Sequence, residues 1–145
     1  MELFDIIKEK FNCKEVDPLS YSPLTLAYIG DSIYEVVIRT YVIGNGNRPP
    51  HKLHKESSQL VKAATQRQMI MGMLEELTSE EASVYRRGRN AQSGTIAKNA
   101  TVSDYRKASG FEALIGWLYI TGQTERMLEL IYRGCEIVWQ ASEQK

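Results

Sequence analysis

Ala108-Ser109-Gly110-Phe111-Glu112-Ala113-Leu114-Ile115-Gly116-Trp117-Leu118 is the most apolar stretch of the chain, and one acid stands near its centre. A helix is expected across it. Ser103 serves as its N-cap, the helix starts at Asp104 and continues through Tyr119, and Thr121-Gly122 ends it. Gly110, Ala113 and Gly116 recur at three-residue spacing, so another helix can approach closely on that side.

A second helix carries a similarly placed acid. Ser22 is a good N-cap, and Pro23 suits the first helical position because its missing N–H has no intrahelical partner to lose. From there Leu24, Ala27/Tyr28, Ser32 and Glu35/Val36, with the parallel stripe Ile29, Ile33, Val37 and Thr40/Tyr41, follow a helical period. The β-branched run Val36-Val37-Ile38 leaves a strand open, but length and charge spacing favour the helix. It ends in Gly44-Asn45-Gly46-Asn47-Arg48-Pro49-Pro50. Within it, Asp31 sits among Tyr28, Ile29, Ile33 and Val37, where an ionised carboxylate must be solvated, paired or bound to metal. Glu35 lies one turn later and shares its face.

The remaining segments are also helical, so the fold class is all-α. Leu3 to Lys10 forms a short amphipathic helix, and Asp17 to Pro23 a turn. A helical region runs from about His51 to Leu77, with Met69, Met71 and Met73 as core or interface filler. Thr78 and Glu81 form a capping box for a short helix over Ser79 to Gly88, followed by a loop from Arg89 to Thr95. The last helix spans about Thr124 to Trp139. At 145 residues and 43% hydrophobic content, one domain over 1–145 with one core is expected.

Composition narrows the function classes. Cys13 and Cys135 are far apart, with no further cysteines to build a zinc site or disulfide framework, and read as free thiols. The acidic N-terminus lacks the features of an export signal, and no apolar run approaches the length of a membrane span, so a soluble, cytoplasmic protein is expected. Lys plus Arg balances Asp plus Glu at 18 each, which argues against a nonspecific nucleic-acid coat protein. The neutral total hides a basic segment: Arg86, Arg87, Arg89, Lys98, Arg106 and Lys107 stand against Asp104 alone.

Two carboxylates on closely packed helices suit Mg²⁺, which takes hard oxygen ligands and leaves other positions to water and phosphate. Periodicity leaves the plainer readings open: a salt bridge with Arg39, Arg106 or Lys107, or a solvated helix edge. His51 and His54, three apart, read as surface or substrate-proximal residues rather than a metal pair.

At both acids the chain resembles the catalytic domain of ribonuclease III. Tyr28-Ile29-Gly30-Asp31-Ser32 is similar to the second half of that family's signature, Glu-Phe/Tyr-Leu-Gly-Asp, and Phe111-Glu112-Ala113-Leu114-Ile115-Gly116-Trp117-Leu118-Tyr119 to its Phe-Glu-Ala-Leu-Ile-Gly-x-x-Tyr segment. The likeness is strongest to the Mini-ribonuclease III branch, which lacks a double-stranded-RNA-binding domain. It covers Pro18 to about Ile131, including Tyr85-Arg86-Arg87-Gly88-Arg89-Asn90-Ala91 and Lys98-Asn99-Ala100. Ala27 stands where the larger family has a glutamate and Ser109 where it has an aspartate, so four acids become two, as in the Mini branch.

The resemblance implies a ribonuclease III-like endonuclease fold and a homodimer that cuts double-stranded RNA. Asp31 and Glu112 are then catalytic metal ligands for Mg²⁺, with Mn²⁺ as a substitute, and the products carry 5′-phosphate and 3′-hydroxyl ends. Arg86, Arg87, Arg89, Lys98 and Lys107 are the phosphate-contact candidates, selecting A-form shape with little base readout. The implied substrate is a precursor of large-subunit (23S) ribosomal RNA, and a ribosomal protein assisting its presentation is a partner the resemblance allows. The alternatives from other classes are a catalytically weak RNA-binding homodimer and a helical protein-interaction module.

Overall fold

The computed structural model describes residues 2–91 and 101–144. The element order among them is α1 (Leu3–Lys10), a 3₁₀ turn (Pro18–Ser20), α2 (Pro23–Gly44), α3 (Pro50–Val61), α4 (Ala63–Met71), a second 3₁₀ turn (Leu74–Glu76), α5 (Ser79–Asn90), α6 (Val102–Ile120) and α7 (Thr124–Glu143). The fold is all-α, as expected from the sequence.

α6 occupies the centre. Ala108, Gly110, Phe111 and Ala113–Leu118 are all buried, so the helix is enclosed almost all round, as its apolar composition requires. α2 buries only one stripe, Leu26, Gly30, Tyr34, Ile38 and Val42, at strict four-residue spacing. α4 contributes Met69 and Ile70, and α7 contributes Met127, Leu130, Ile131, Gly134 and Cys135. Met69 and Met73 are core residues, whereas Met71 faces outward at 42% exposure.

Local signals set several helix ends. The Ser22 side chain accepts a hydrogen bond from the Thr25 N–H, and Pro23 opens α2. Thr78 and Glu81 form both halves of the capping box that starts α5. Gly46, at φ +117°, makes the turn after α2, while Gly44 is still helical. Three boundaries differ from the sequence reading. Thr101, not Ser103, caps α6 by accepting from the Asp104 N–H at 3.0 Å. α5 continues to Asn90, placing Arg89 on a helix rather than in a loop. α7 runs to Glu143.

The helical region expected over His51 to Leu77 is broken at Lys62, whose ψ of 152° is extended. The break frees carbonyls near the end of α3, and side chains take them up. The Tyr34 hydroxyl donates to the Leu60 carbonyl at 2.5 Å and lies 3.3 Å from Met69 Sδ, and the Thr65 hydroxyl donates to the Gln59 carbonyl at 2.7 Å. Tyr34→Phe leaves the buried Leu60 carbonyl without its donor, and a loss of about 1–3 kcal/mol in urea denaturation is expected. An unchanged midpoint would show that the Lys62 break is held by something else.

Candidate active site

The site begins with two backbones in contact. A Cβ added to Gly30 would lie 1.8 Å from the Glu112 carbonyl oxygen and 2.8 Å from the Gly116 nitrogen, and one added to Gly116 would lie 2.0 Å from the Leu26 carbonyl oxygen. Only glycine at both positions permits α2 and α6 to cross this closely. The small-residue stripe on α6 therefore serves two helices rather than one. Gly116 meets α2, while Gly110 and Ala113 meet Gly88 of α5, where an added Cβ would be 2.9 Å from Gly110 Cα and 2.7 Å from Ala113 Cβ.

This crossing brings Asp31, next to Gly30, against Glu112. The Glu112 carboxyl is pushed up to about 9, first by burial, then by its hydrogen bond with Asp31, and then by the negative charges of Asp31 and Glu35. Near neutral pH it therefore holds a proton next to the Asp31 carboxylate. Phe111, next to Glu112 on α6, packs edge-on against Tyr34 with ring centroids 5.7 Å apart, and both rings are fully buried. Asp31 itself is exposed and Glu112 half-buried, so the pair opens to solvent on one side. Among the described residues neither acid has an ion-pair partner; Arg39 pairs instead with Glu35, at 3.7 Å.

As a donor set the pair fits a small hard cation: two carboxyl groups are held together and share a proton that a divalent ion would displace. Among the described residues no group of three or more His, Cys, Asp and Glu side chains is placed to hold a metal, so a cation at this pair would have two protein carboxyl groups to meet there. Ala27 and Ser109 are both half-buried and carry no carboxylate to add to them.

The basic candidates fall on neighbouring elements. Arg86 and Arg87 are exposed on α5. Arg89 is half-buried, its guanidinium 5.7 Å from the centroid of the Tyr85 ring and its Nε donating to Asn90 Oδ1 at 3.2 Å. Lys107 is half-buried on α6, five residues before Glu112. Lys98 lies outside the described residues. His51 and His54 are exposed, and the two cysteines are free, with burial pushing the Cys135 thiol up to about 11. The sequence reading passed over Tyr85 as a functional residue. Its place before Arg89 at helical spacing was visible, but its packing on α6 was not.

The sequence profile of the ribonuclease III domain matches residues 24–123, from the start of α2 to the end of α6 and including both acids. The chain belongs to the ribonuclease III domain family. Within that family it is 45% identical over 124 residues to a Mini-ribonuclease 3 of Clostridium tetani, covering 85% of this chain and 81% of that protein. It is 50% identical over 110 residues to the Mini-ribonuclease 3 of Enterococcus faecalis, covering 74% and 83%. A crystal structure of a Fusobacterium nucleatum protein superposes with a TM-score of 0.72 at 31% identity, covering 77% of this chain and 86% of that one. The resemblance to the Mini branch and the ribonuclease III-like fold are thus both borne out. No helix among the described residues is long and apolar enough to cross a membrane.

Proposed function

We propose that this chain is an endoribonuclease that hydrolyses double-stranded RNA, with Asp31 and Glu112 holding a divalent cation, Mg²⁺ or in its place Mn²⁺. The observation that carries this reading is the meeting of the two acids at the α2–α6 crossing, in a protein whose relatives are Mini-ribonuclease 3. A bound cation supplies Lewis acidity toward water and a phosphate oxygen. Asp31, exposed, offers its carboxylate without rearrangement. To serve as the second ligand, Glu112 would release to solvent the proton it holds beside Asp31.

Arg86, Arg87, Arg89, Lys98 and Lys107 engage the RNA backbone, where planar guanidinium groups match phosphate oxygens. Two copies of this single 1–145 domain, as a homodimer, place one site on each strand. The products carry 5′-phosphate and 3′-hydroxyl ends, the substrate is a precursor of large-subunit ribosomal RNA, and the setting is the cytoplasm. Ribosomal-protein assistance belongs to the same reading.

Strand-resolved cleavage tests it. Duplex RNA is cut with Mg²⁺, both duplex with chelator and single-stranded RNA stay intact, and chelator-resistant cutting would remove the cation from the mechanism. A second reading, a catalytically weak RNA-binding homodimer, is favoured by the two-acid ligand set. It predicts duplex binding without cutting in the same assay.

A further inference from the structure

Tyr85 belongs to neither the carboxyl pair nor the exposed basic face, yet it touches the elements that carry both. It is 2% exposed. A Cβ added to Gly110, two residues before Glu112, would lie 2.8 Å from Tyr85 Cδ1, from Cε1 and from the Tyr85 carbonyl oxygen. The ring is therefore pressed onto α6 in the turn that leads to Glu112, and it cannot swing away without disturbing the α5–α6 crossing. On α5, one turn later, Arg89 lies over that ring.

Arg89 differs from the other half-buried arginines. Arg48, Arg126 and Arg133 each reach a carboxylate: Arg48 pairs with Glu56, Arg126 bonds Glu81 at 2.8 Å, and Arg133 bonds Glu76 at 3.0 Å. Among the described residues no carboxylate pairs with Arg89; its Nε donates to the neutral Asn90 amide, and its guanidinium also comes within hydrogen-bonding reach of the Tyr85 hydroxyl. A guanidinium restrained by an aromatic ring and left without a counter-charge is preorganised for an anion from outside.

We propose that Tyr85 is a positioning residue for RNA binding, whose ring, seated on Gly110, holds the Arg89 guanidinium toward a phosphate of the duplex backbone. This rests on the duplex-RNA reading above. Its signature is that a substitution removing no charge removes a charge contact. Each phosphate contact contributes about 0.9 to the slope of log K against log salt, so a neutral packing role for Tyr85 would leave that slope alone.

The test is the salt dependence of binding to a blunt RNA duplex, in chelator so that no strand is cut. Arg89→Ala is expected to weaken binding about tenfold and to lower the slope by about 1. Tyr85→Leu is expected to reproduce most of both effects, and the double variant to bind no worse than Arg89→Ala alone. Tyr85→Phe, which keeps the ring, restores the slope. An unchanged slope in Tyr85→Leu, or effects that multiply in the double variant, overturns the proposal. Should Tyr85→Leu not fold, Arg89→Lys decides: it keeps the charge and loses the planar guanidinium fork that the ring holds, so binding should fall at least about threefold, and parental affinity and slope would overturn the idea. A parent protein that binds no duplex at all overturns the RNA reading and this inference with it, whereas a parent whose slope is indifferent to Arg89 overturns only the latter.

Discussion

Glu112→Gln is expected to lose cleavage on the order of 10²–10⁴-fold and, in chelator, to melt higher than the parent protein. On the proposed reading, the first effect follows from removing a cation ligand at the reacting phosphate, where a Lewis acid contributes several kcal/mol. Asp31→Asn shares it. The second effect follows from the burial of Glu112 against Asp31, which raises its pKa from the ordinary 4.5 to about 9. Between those values the folded protein keeps a proton that the unfolded chain has already released, so parental stability falls as pH rises through the window. Below it, both states are protonated and the penalty vanishes.

At about pH 7.5 the penalty is at most about 4 kcal/mol at 1.36 kcal/mol per unit. Relaxation and water access bring the expected gain from glutamine to about 1–3 kcal/mol, or roughly 3–10 °C in Tm. The gain should disappear near pH 4.5, and saturating Mg²⁺ should stabilise the parent more than the variant. Retained cleavage would remove Glu112 from the ligand set, and a melting temperature unchanged from pH 5 to 9 would contradict the buried, proton-holding state.

Gly30→Ala and Gly116→Ala are expected to cost about 3 kcal/mol or more each in denaturation. Overpacking a core usually costs about 1–3 kcal/mol because side chains yield, but here the new methyl would meet main chain at 1.8 and 2.0 Å. The helices must separate by about 1 Å, enough to outweigh the ~1 kcal/mol that alanine gains over glycine within a helix. That separation also moves Asp31 relative to Glu112, and a displacement of about 1 Å can reduce turnover on the order of 10²-fold. Gly44→Ala is the control: nothing lies within 4 Å of its added Cβ, so it should be neutral or stabilising by up to about 1 kcal/mol. If Gly30→Ala kept both parental stability and cleavage, close approach of the two backbones would not be what sets the site.

These residues also mark where local sequence was informative. Ser22-Pro23 and the Thr78–Glu81 box locate helix starts because the chemistry of a cap lies within four residues of the end it closes. Thr101 and Ser103 are both competent caps, and nothing local ranks them, so the start of α6 was misplaced by two residues. The break at Lys62 was invisible because its support is the Tyr34 hydroxyl, 26 residues from Leu60. Spacing on α6 announced that a helix would come close, but it did not reveal that the stripe is divided between α2 and α5. The family signature singled out Asp31 and Glu112, while their meeting depends on Gly30 and Gly116, which only the folded chain pairs.

Main chain against main chain at Gly30 and Gly116 gives the acids a spacing that does not depend on which side chains fill the interior. The methionine- and leucine-rich surroundings are free to drift in composition without retuning the distance between the two carboxyls. The same independence lets neighbouring positions such as Ala27 and Ser109 change chemistry while the platform beneath them stays fixed. A chain built on such a joint can exchange the residues around the two acids one at a time without first rebuilding its scaffold.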